Sequence, residues 1–226
     1  MHIKLSPRLR AIADMVDYGA SVIDIGTDHG YIPVYLAQKR QVLHIAASDI
    51  NEDPLARARL SAAEHGVSDK ITFMLCNGLQ GFASYSADTI ITAGMGGENI
   101  SNILRQAPWT NSPGISLILQ PMTKVHNLRQ YLMGSGYTIE KEILVRDTGK
   151  IYPVMKVLGG GEKISSPAYA EIYLGKISKA HELFDEYKNS IMLKLTKAAK
   201  GMQKSENNNS ALFAEITEAL KEISAV

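Results

Sequence analysis

Five short apolar runs punctuate the first half of the chain, and a stretch with helical spacing or a small-residue loop follows each one. They read SVIDI at 21–25, HIAAS at 44–48, ITFML at 71–75, DTIITA at 88–93 and ISLIL at 115–119. Runs that are apolar at most successive positions belong to strands buried on both faces. Such strands lie in a parallel sheet covered by helices. Two further segments, TIEKEILVR at 138–146 and IYPVMKVL at 151–158, flank Asp147-Thr148-Gly149-Lys150, a hairpin signal. The pattern predicts an α/β fold with a doubly wound, seven-stranded sheet whose last two strands form a hairpin. Helices are expected from a cap at Ser6 with Pro7 in the first turn, over 31–39, and from Pro54 to a stop at His65–Gly66. Two more are expected from the glycines at 94–97 to about Arg105, and over 124–133.

At roughly 150 residues per domain, 226 residues hold one full domain and an appendage. Gly159–Gly160–Gly161 and Ser165-Ser166-Pro167 mark the expected boundary between residues 1–160 and 165–226. A single cysteine, Cys76, excludes an internal disulfide and a CxxC metal knuckle, and reads as a small buried thiol in a reducing cytosol. The six histidines are scattered, so no metal is expected. No apolar run approaches the ~18 residues of a membrane span, and the first residues lack a secretory apolar core, so a cytoplasmic protein is expected. Lys plus Arg is 24 against 23 for Asp plus Glu. That balance lacks the basic excess of many nucleic-acid binders, although a local basic face is compatible with it.

Ligands of doubly wound sheets bind beyond the carboxyl ends of the strands. The loop after the first strand reads Asp24-Ile25-Gly26-Thr27-Asp28-His29-Gly30-Tyr31. A dinucleotide fingerprint has glycine where Asp28 stands. A carboxylate there repels a pyrophosphate by on the order of several kcal/mol at an effective dielectric near 20. S-adenosylmethionine carries no phosphate but has a sulfonium and an ammonium, and it suits this loop. Asp24 can meet the ammonium, Gly26 admits close backbone approach, and Asp28 is tolerable beside a cation. Asp49, at the end of the second strand, stands near the ~20-residue spacing of an acid that binds ribose hydroxyls. Asn77–Gly78 can meet the adenine edge. Each of these is also an ordinary strand-end turn residue, and it is their coincidence at successive strand ends that points to a methyl donor.

The strings DIGTDHGYIP at 24–33, the acid at Asp49, NGL at 77–79, AGMGG at 93–97 and ILQP at 118–121 resemble the bacterial TrmK family. These are tRNA (adenine-N1)-methyltransferases acting on adenine 22 of the D-arm. The resemblance covers residues 1–158 and reaches weakly into the tail. It implies a class I, Rossmann-like methyltransferase fold with a C-terminal coiled-coil hairpin, S-adenosylmethionine as cofactor and tRNA as partner. It also implies a cofactor site lined by Asp24, Gly26, Asp28, Gly30, Asp49, Ile50, Asn77, Gly78, Gly94, Met95 and Gly96. The family often has Asp where this chain has Asn77, whose amide oxygen still accepts from an adenine amino group.

Methyl transfer from a sulfonium is an in-line displacement that needs positioning and exclusion of water. Enzymes that methylate exocyclic amines commonly carry [DN]-P-P-[YFW] after the fourth strand, and Ala93-Gly94-Met95-Gly96-Gly97 lacks both proline and aromatic. Adenine N1 has an in-plane lone pair that needs no deprotonation, and its product is a cation that a carboxylate stabilises. Asp28 is the candidate for that role, with Tyr31 to stack on the base and His29 as a weaker candidate, since a histidine at a helix start is commonly structural. N1 is engaged in any stem, so the base must be unpaired or flipped out. Candidate substrate contacts are Arg8, Arg10, Gln120, Lys124 and Arg129, with Lys4, Arg146 and Lys150 as further basic rim residues. Arg8 stands out because its helix precedes the sheet and can lie over the cofactor mouth.

Residues 168–203 keep helical spacing through Ile172, Phe184, Tyr187, Ile191, Leu195 and Met202, and 211–224 repeat it after the turn SENNNS at 205–210. Two antiparallel helices packed as a hairpin are expected. With eight Lys and eight acidic residues the tail is neutral. It reads equally as a structural or dimerising coiled coil and as an arm gripping tRNA through Lys188, Lys194, Lys197, Lys200 and Lys204. Other readings stay open: methylation of another nucleic acid or of a small molecule, a non-catalytic RNA-binding module that keeps a donor pocket, and a nucleotide-dependent oxidoreductase, which Asp28 opposes.

Overall fold

The computed structural model describes residues 2–39, 41–83, 87–203 and 210–226. Its sheet has seven strands in the order β3-β2-β1-β4-β5-β7-β6. These are β1 (Ser21–Ile25), β2 (His44–Asp49), β3 (Thr72–Leu75), β4 (Thr89–Gly96), β5 (Ser116–Thr123), β6 (Thr138–Asp147) and β7 (Lys150–Leu158). β1 to β5 run parallel, and β7 pairs antiparallel with both β5 and β6. The β6–β7 turn takes positive φ at Thr148 and Gly149, the geometry that matches strand twist in a two-residue hairpin.

The period of two splits each apolar strand between the faces. Val22, Ile91 and Ile118 pack under α1 (Pro7–Ala13), α2 (Tyr31–Lys39) and α3 (Glu52–Glu64). Ile23, Ile90, Leu117 and Leu119 pack under α4 (Gly97–Gln106) and α5 (Val125–Ser135). The strand order reverses between β1 and β4, so the crevice at that switch point is where such sheets hold ligands. β4 and β5 run past their expected ends at 93 and 119, because Met95 pairs with Pro121 and Gly96 with Thr123 across a register shift at Gly94. A glycine-rich string reads as a turn, but pairing with a neighbour extends it as strand.

The tail departs from a single helix over 168–203. α6 (Tyr169–Leu174) stops at Gly175, and α7 (Phe184–Gln203) starts nine residues later. A side chain at Gly175, which sits at φ +75, would collide with Glu142 and Arg129. Arg129 lies at the break, fully buried. It pairs with Glu142 at 2.5 Å, donates to the Ile172 and Tyr173 carbonyls at 3.0 and 2.6 Å, and donates to the Tyr187 hydroxyl at 3.1 Å. Burial works against its charge, but Glu142 and Tyr187 more than restore it, and its pKa is raised. This overturns the expectation of Arg129 as a substrate contact: its donors are taken by the tail and by Glu142, away from solvent.

α7 and α8 (Ser210–Ala225) share an apolar cluster that includes Leu195, Ile216 and Ile223 and also takes in Leu144 of β6, so the tail packs on the sheet. Lys204 and positions 205–209 of the expected turn lie outside the described residues. Among the described residues no helix is long and apolar enough to cross a membrane.

Candidate active site

The first strand ends in a tight loop tied to the second. The N–H groups of Gly26 and Thr27 both donate to the Ser48 carbonyl, at 2.8 and 3.0 Å. Gly26 takes φ +74, and a side chain there would run into the end of Met95. Gly30, at φ +64, lies where a Cβ would stand 3.0 Å from that of Ala58, so α3 packs directly on the loop. His29 also takes a left-handed φ of 63°, although it is not glycine. That conformation stacks its ring on Tyr31, with centroids 5.2 Å apart and planes 5° from parallel.

A cleft of about 380 Å³ opens at the switch point. It brings together Gly26, Asp49, Ile50, Asn77, Gly78 and Met95 of the predicted site. Gly78 takes φ +58, and a Cβ added there would stand 3.2 Å from the side chain of Ile103. The cleft also takes Cys76 and one face of α4, with Asn99, Asn102, Ile103 and Gln106, which the sequence reading missed. Their spacing carries a signal: Asn99, Asn102 and Gln106 lie three and four residues apart, an amide stripe on one helical face. Asp49 Oδ1 accepts from the Asn51 N–H at 2.9 Å, which orients the carboxylate at the head of α3.

Asp24 lies buried beneath this loop. Burial pushes its carboxyl up to about 7, the charge of Asp49 adds to the shift, and the neighbouring Thr27 hydroxyl works against it. No cation among the described residues pairs with Asp24, and no Lys or Arg lines the cleft. A diphosphate would find no counter-charge there. A ligand carrying an ammonium and a sulfonium supplies the positive charge that Asp24 lacks, so these residues fit S-adenosylmethionine.

Asp28 is half exposed and paired. Arg57 of α3 donates to its Oδ1 from Nη2 at 2.7 Å and from Nε at 3.2 Å, and His29 Nε2 lies 3.7 Å away. Asp28, His29 and Tyr31 thus form one ledge at the head of α2. Arg57 was absent from the sequence reading, since nothing local links it to a loop 29 residues away.

Other predicted contacts separate. Arg8 donates to Gln120 Oε1 at 2.6 Å, and the Gly94 N–H donates to the same oxygen at 3.2 Å. Arg10 faces elsewhere, paired with Asp14 at 2.8 Å and 5.2 Å over the Tyr35 ring. Arg146 pairs with Glu186 of α7 at 2.6 Å. Lys124 takes φ 53 at the head of α5, and its carbonyl occupies the space a side chain at Gly97 would need. Gly96 is similarly close to the Thr123 hydroxyl, at 3.1 Å from an added Cβ. Lys124, Lys150 and Lys194 all line a second cleft of about 690 Å³ between the end of β5, the β6–β7 turn and the tail. None of the three makes an ion pair among the described residues.

A methyltransferase-domain family profile matches residues 5–155. The chain is 30% identical over 192 residues to the tRNA (adenine(22)-N(1))-methyltransferase of Bacillus subtilis, covering 85% of this chain and 79% of that one. A structure of M. capricolum TrmK in complex with S-adenosyl-homocysteine superposes with a TM-score of 0.79 at 27% identity, covering 99% of this chain and 97% of that one. A Streptococcus agalactiae protein of the NADB-Rossmann superfamily superposes with a TM-score of 0.85 at 29% identity, covering 100% and 98%.

Proposed function

Because the chain belongs to the TrmK family of bacterial tRNA (adenine(22)-N1)-methyltransferases, we infer that it moves a methyl group from S-adenosylmethionine to N1 of adenine 22 in tRNA. The observation that carries this reading is the cleft at the switch point, acidic beneath and free of Lys and Arg along its walls. S-adenosylmethionine supplies an electrophilic methyl group on sulfur.

The chain's own residues bind and orient. Asp24 takes the ammonium of the donor and is held ionised by it. Asp49 accepts from the ribose hydroxyls. Asn77 accepts from the adenine amino group, with Ile50 and Gly78 against the ring. Gly26, Gly94, Met95 and Gly96 shape the wall on the side of the acceptor. There Asp28 offsets the positive charge that develops on the adenine ring and accepts from its N6 amino group, in place of Arg57. Tyr31, stacked on His29, offers a flat face to a base turned out of its helix. The lone pair of N1 needs no base to deprotonate it, which agrees with an acceptor side that holds carboxylate and aromatic groups but no proline–aromatic loop.

The substrate arm is the D-arm, and its backbone lies along the second cleft, where Lys124, Lys150 and Lys194 stand without partners among the described residues. The enzyme works in the cytoplasm, where its tRNA substrate is. Labelled donor incubated with bacterial tRNA, followed by nucleoside analysis, tests the reading. It predicts 1-methyladenosine that is lost when adenine 22 is replaced by guanine. Label in any other nucleoside, or none, refutes it.

A further inference from the structure

Buried amides are normally satisfied, and Gln120 at the end of β5 shows how one can be made to serve a site. Its side chain is fully buried. Nε2 donates to the Pro121 carbonyl at 3.0 Å, while Oε1 accepts from both Arg8 Nη1 at 2.6 Å and the Gly94 N–H at 3.2 Å. Two donors on one oxygen fix which way the amide faces.

Gly94 needs that acceptor. It lies at φ +77 between Ala93 and Met95, where the β4–β5 ladder shifts register. A residue displaced by a bulge loses its ladder partner, and bulges re-aim the side chains beside them. The side chain beside this one is Met95, which lines the donor cleft and closes on Gly26.

Arg8 is itself held. Its Nε lies 3.5 Å from Asp147 Oδ2, which also accepts from Ser6 Oγ at 2.7 Å, and its guanidinium lies 5.7 Å from the Tyr152 ring centre. With a side chain only 21% exposed and engaged on three sides, it is ill placed to reach a phosphate. We propose that Arg8 and Asp147 are positioning residues that, through Gln120, hold the Gly94 bulge in shape and so set Met95 at the donor cleft. The proposal rests on the methyl-transfer reading of the same site.

Single-turnover methyl transfer at saturating tRNA, the affinities for S-adenosylhomocysteine and tRNA at several salt concentrations, and hydrogen exchange at the Gly94 amide test it together. Arg8→Met is expected to slow transfer on the order of ten- to a hundredfold, the cost of a misplaced reacting group. It leaves the salt dependence of tRNA binding unchanged and speeds exchange at Gly94. Asp147→Asn shows the same pattern more weakly, and the double variant is no slower than Arg8→Met alone, because the two act in one chain. Should Arg8→Met fail to fold, Asp147→Asn carries the same measurements. Unaltered Gly94 exchange overturns the proposal. So does an unaltered transfer rate with a tRNA salt slope reduced by about one, which marks Arg8 as a phosphate contact. If the wild-type enzyme methylates no adenine while Gly94 exchange still responds to Arg8→Met, the substrate reading fails and the chain from Arg8 to Gly94 stands.

Discussion

Arg57 Nη2 stands 2.7 Å from Asp28 Oδ1, joining the middle of α3 to the loop after β1. Both side chains are about half exposed, so the pair contributes at most about 1 kcal/mol to stability. Its importance lies in where it holds the carboxylate. Asp28→Ala is expected to reduce turnover on the order of a hundredfold while S-adenosylhomocysteine affinity stays within about threefold. Asp28→Asn, which keeps an acceptor and loses the charge, should fall between. Arg57→Gln should lower the melting temperature by no more than about 4 °C and reduce turnover less than Asp28→Ala. Steady-state kinetics with titration calorimetry check all three, and equal losses in turnover and affinity for Asp28→Ala would assign it to binding alone.

The proposed pairing of Asp24 with the donor ammonium predicts that donor binding depends on pH. Its carboxyl is raised by burial to about 7 in the free protein, far above its unfolded value. Between those two values the folded state holds a proton that the unfolded state has lost, so this group's contribution to stability falls as pH rises and levels off above about 7. An ammonium bound beside it favours the ionised form. Donor affinity should therefore rise with pH up to about 7 and then flatten, with proton release on binding at pH 6 and almost none at pH 8. Calorimetry of S-adenosylhomocysteine binding in buffers of different ionisation heat measures this, and Asp24→Asn should abolish the release.

Asp49 lines the cleft, and its proposed part is to hold the ribose of the donor, not to act in the transfer itself. Asp49→Ala should weaken S-adenosylhomocysteine binding roughly ten- to a hundredfold, the worth of hydrogen bonds to a charged group. Unchanged affinity in a binding titration would remove Asp49 from the donor site.

Arg129 and Glu142 predict a stability effect instead of an RNA effect. Arg129→Met strands the buried Glu142 carboxylate and the carbonyls at the end of α6, at a cost of about 3–5 kcal/mol. Thermal unfolding should show a loss of about 10 °C, largely recovered when Glu142→Leu is added. The salt slope of tRNA binding should stay at the wild-type value, whereas a phosphate contact would lower it by about one.

The strands were legible because their signal is local. An apolar run such as Ile90–Ile91 needs no partner to declare itself, and Asp49 and Asn77 take their places in the cleft simply by standing at strand ends. Arg129 shows what is not legible. Read locally, it is one more basic residue on an amphipathic helix, and only Glu142, Tyr187 and the α6 carbonyls, all remote in sequence, make it a core residue. Arg57 and the α4 amides escape a local reading for the same reason: the fold alone brings α3 against the loop after β1 and α4 against the cleft.

By itself, then, the order of residues determined the parallel sheet, its hairpin edge and the acidic loop at the end of the first strand, because alternation, capping and turn chemistry act over a few residues. Tertiary structure alone decided which charges face a ligand and which face each other. An ion pair or a buried amide forms wherever folding brings its partners together, and Arg8 and Gln120, separated by more than a hundred positions, share a hydrogen bond that no local pattern encodes.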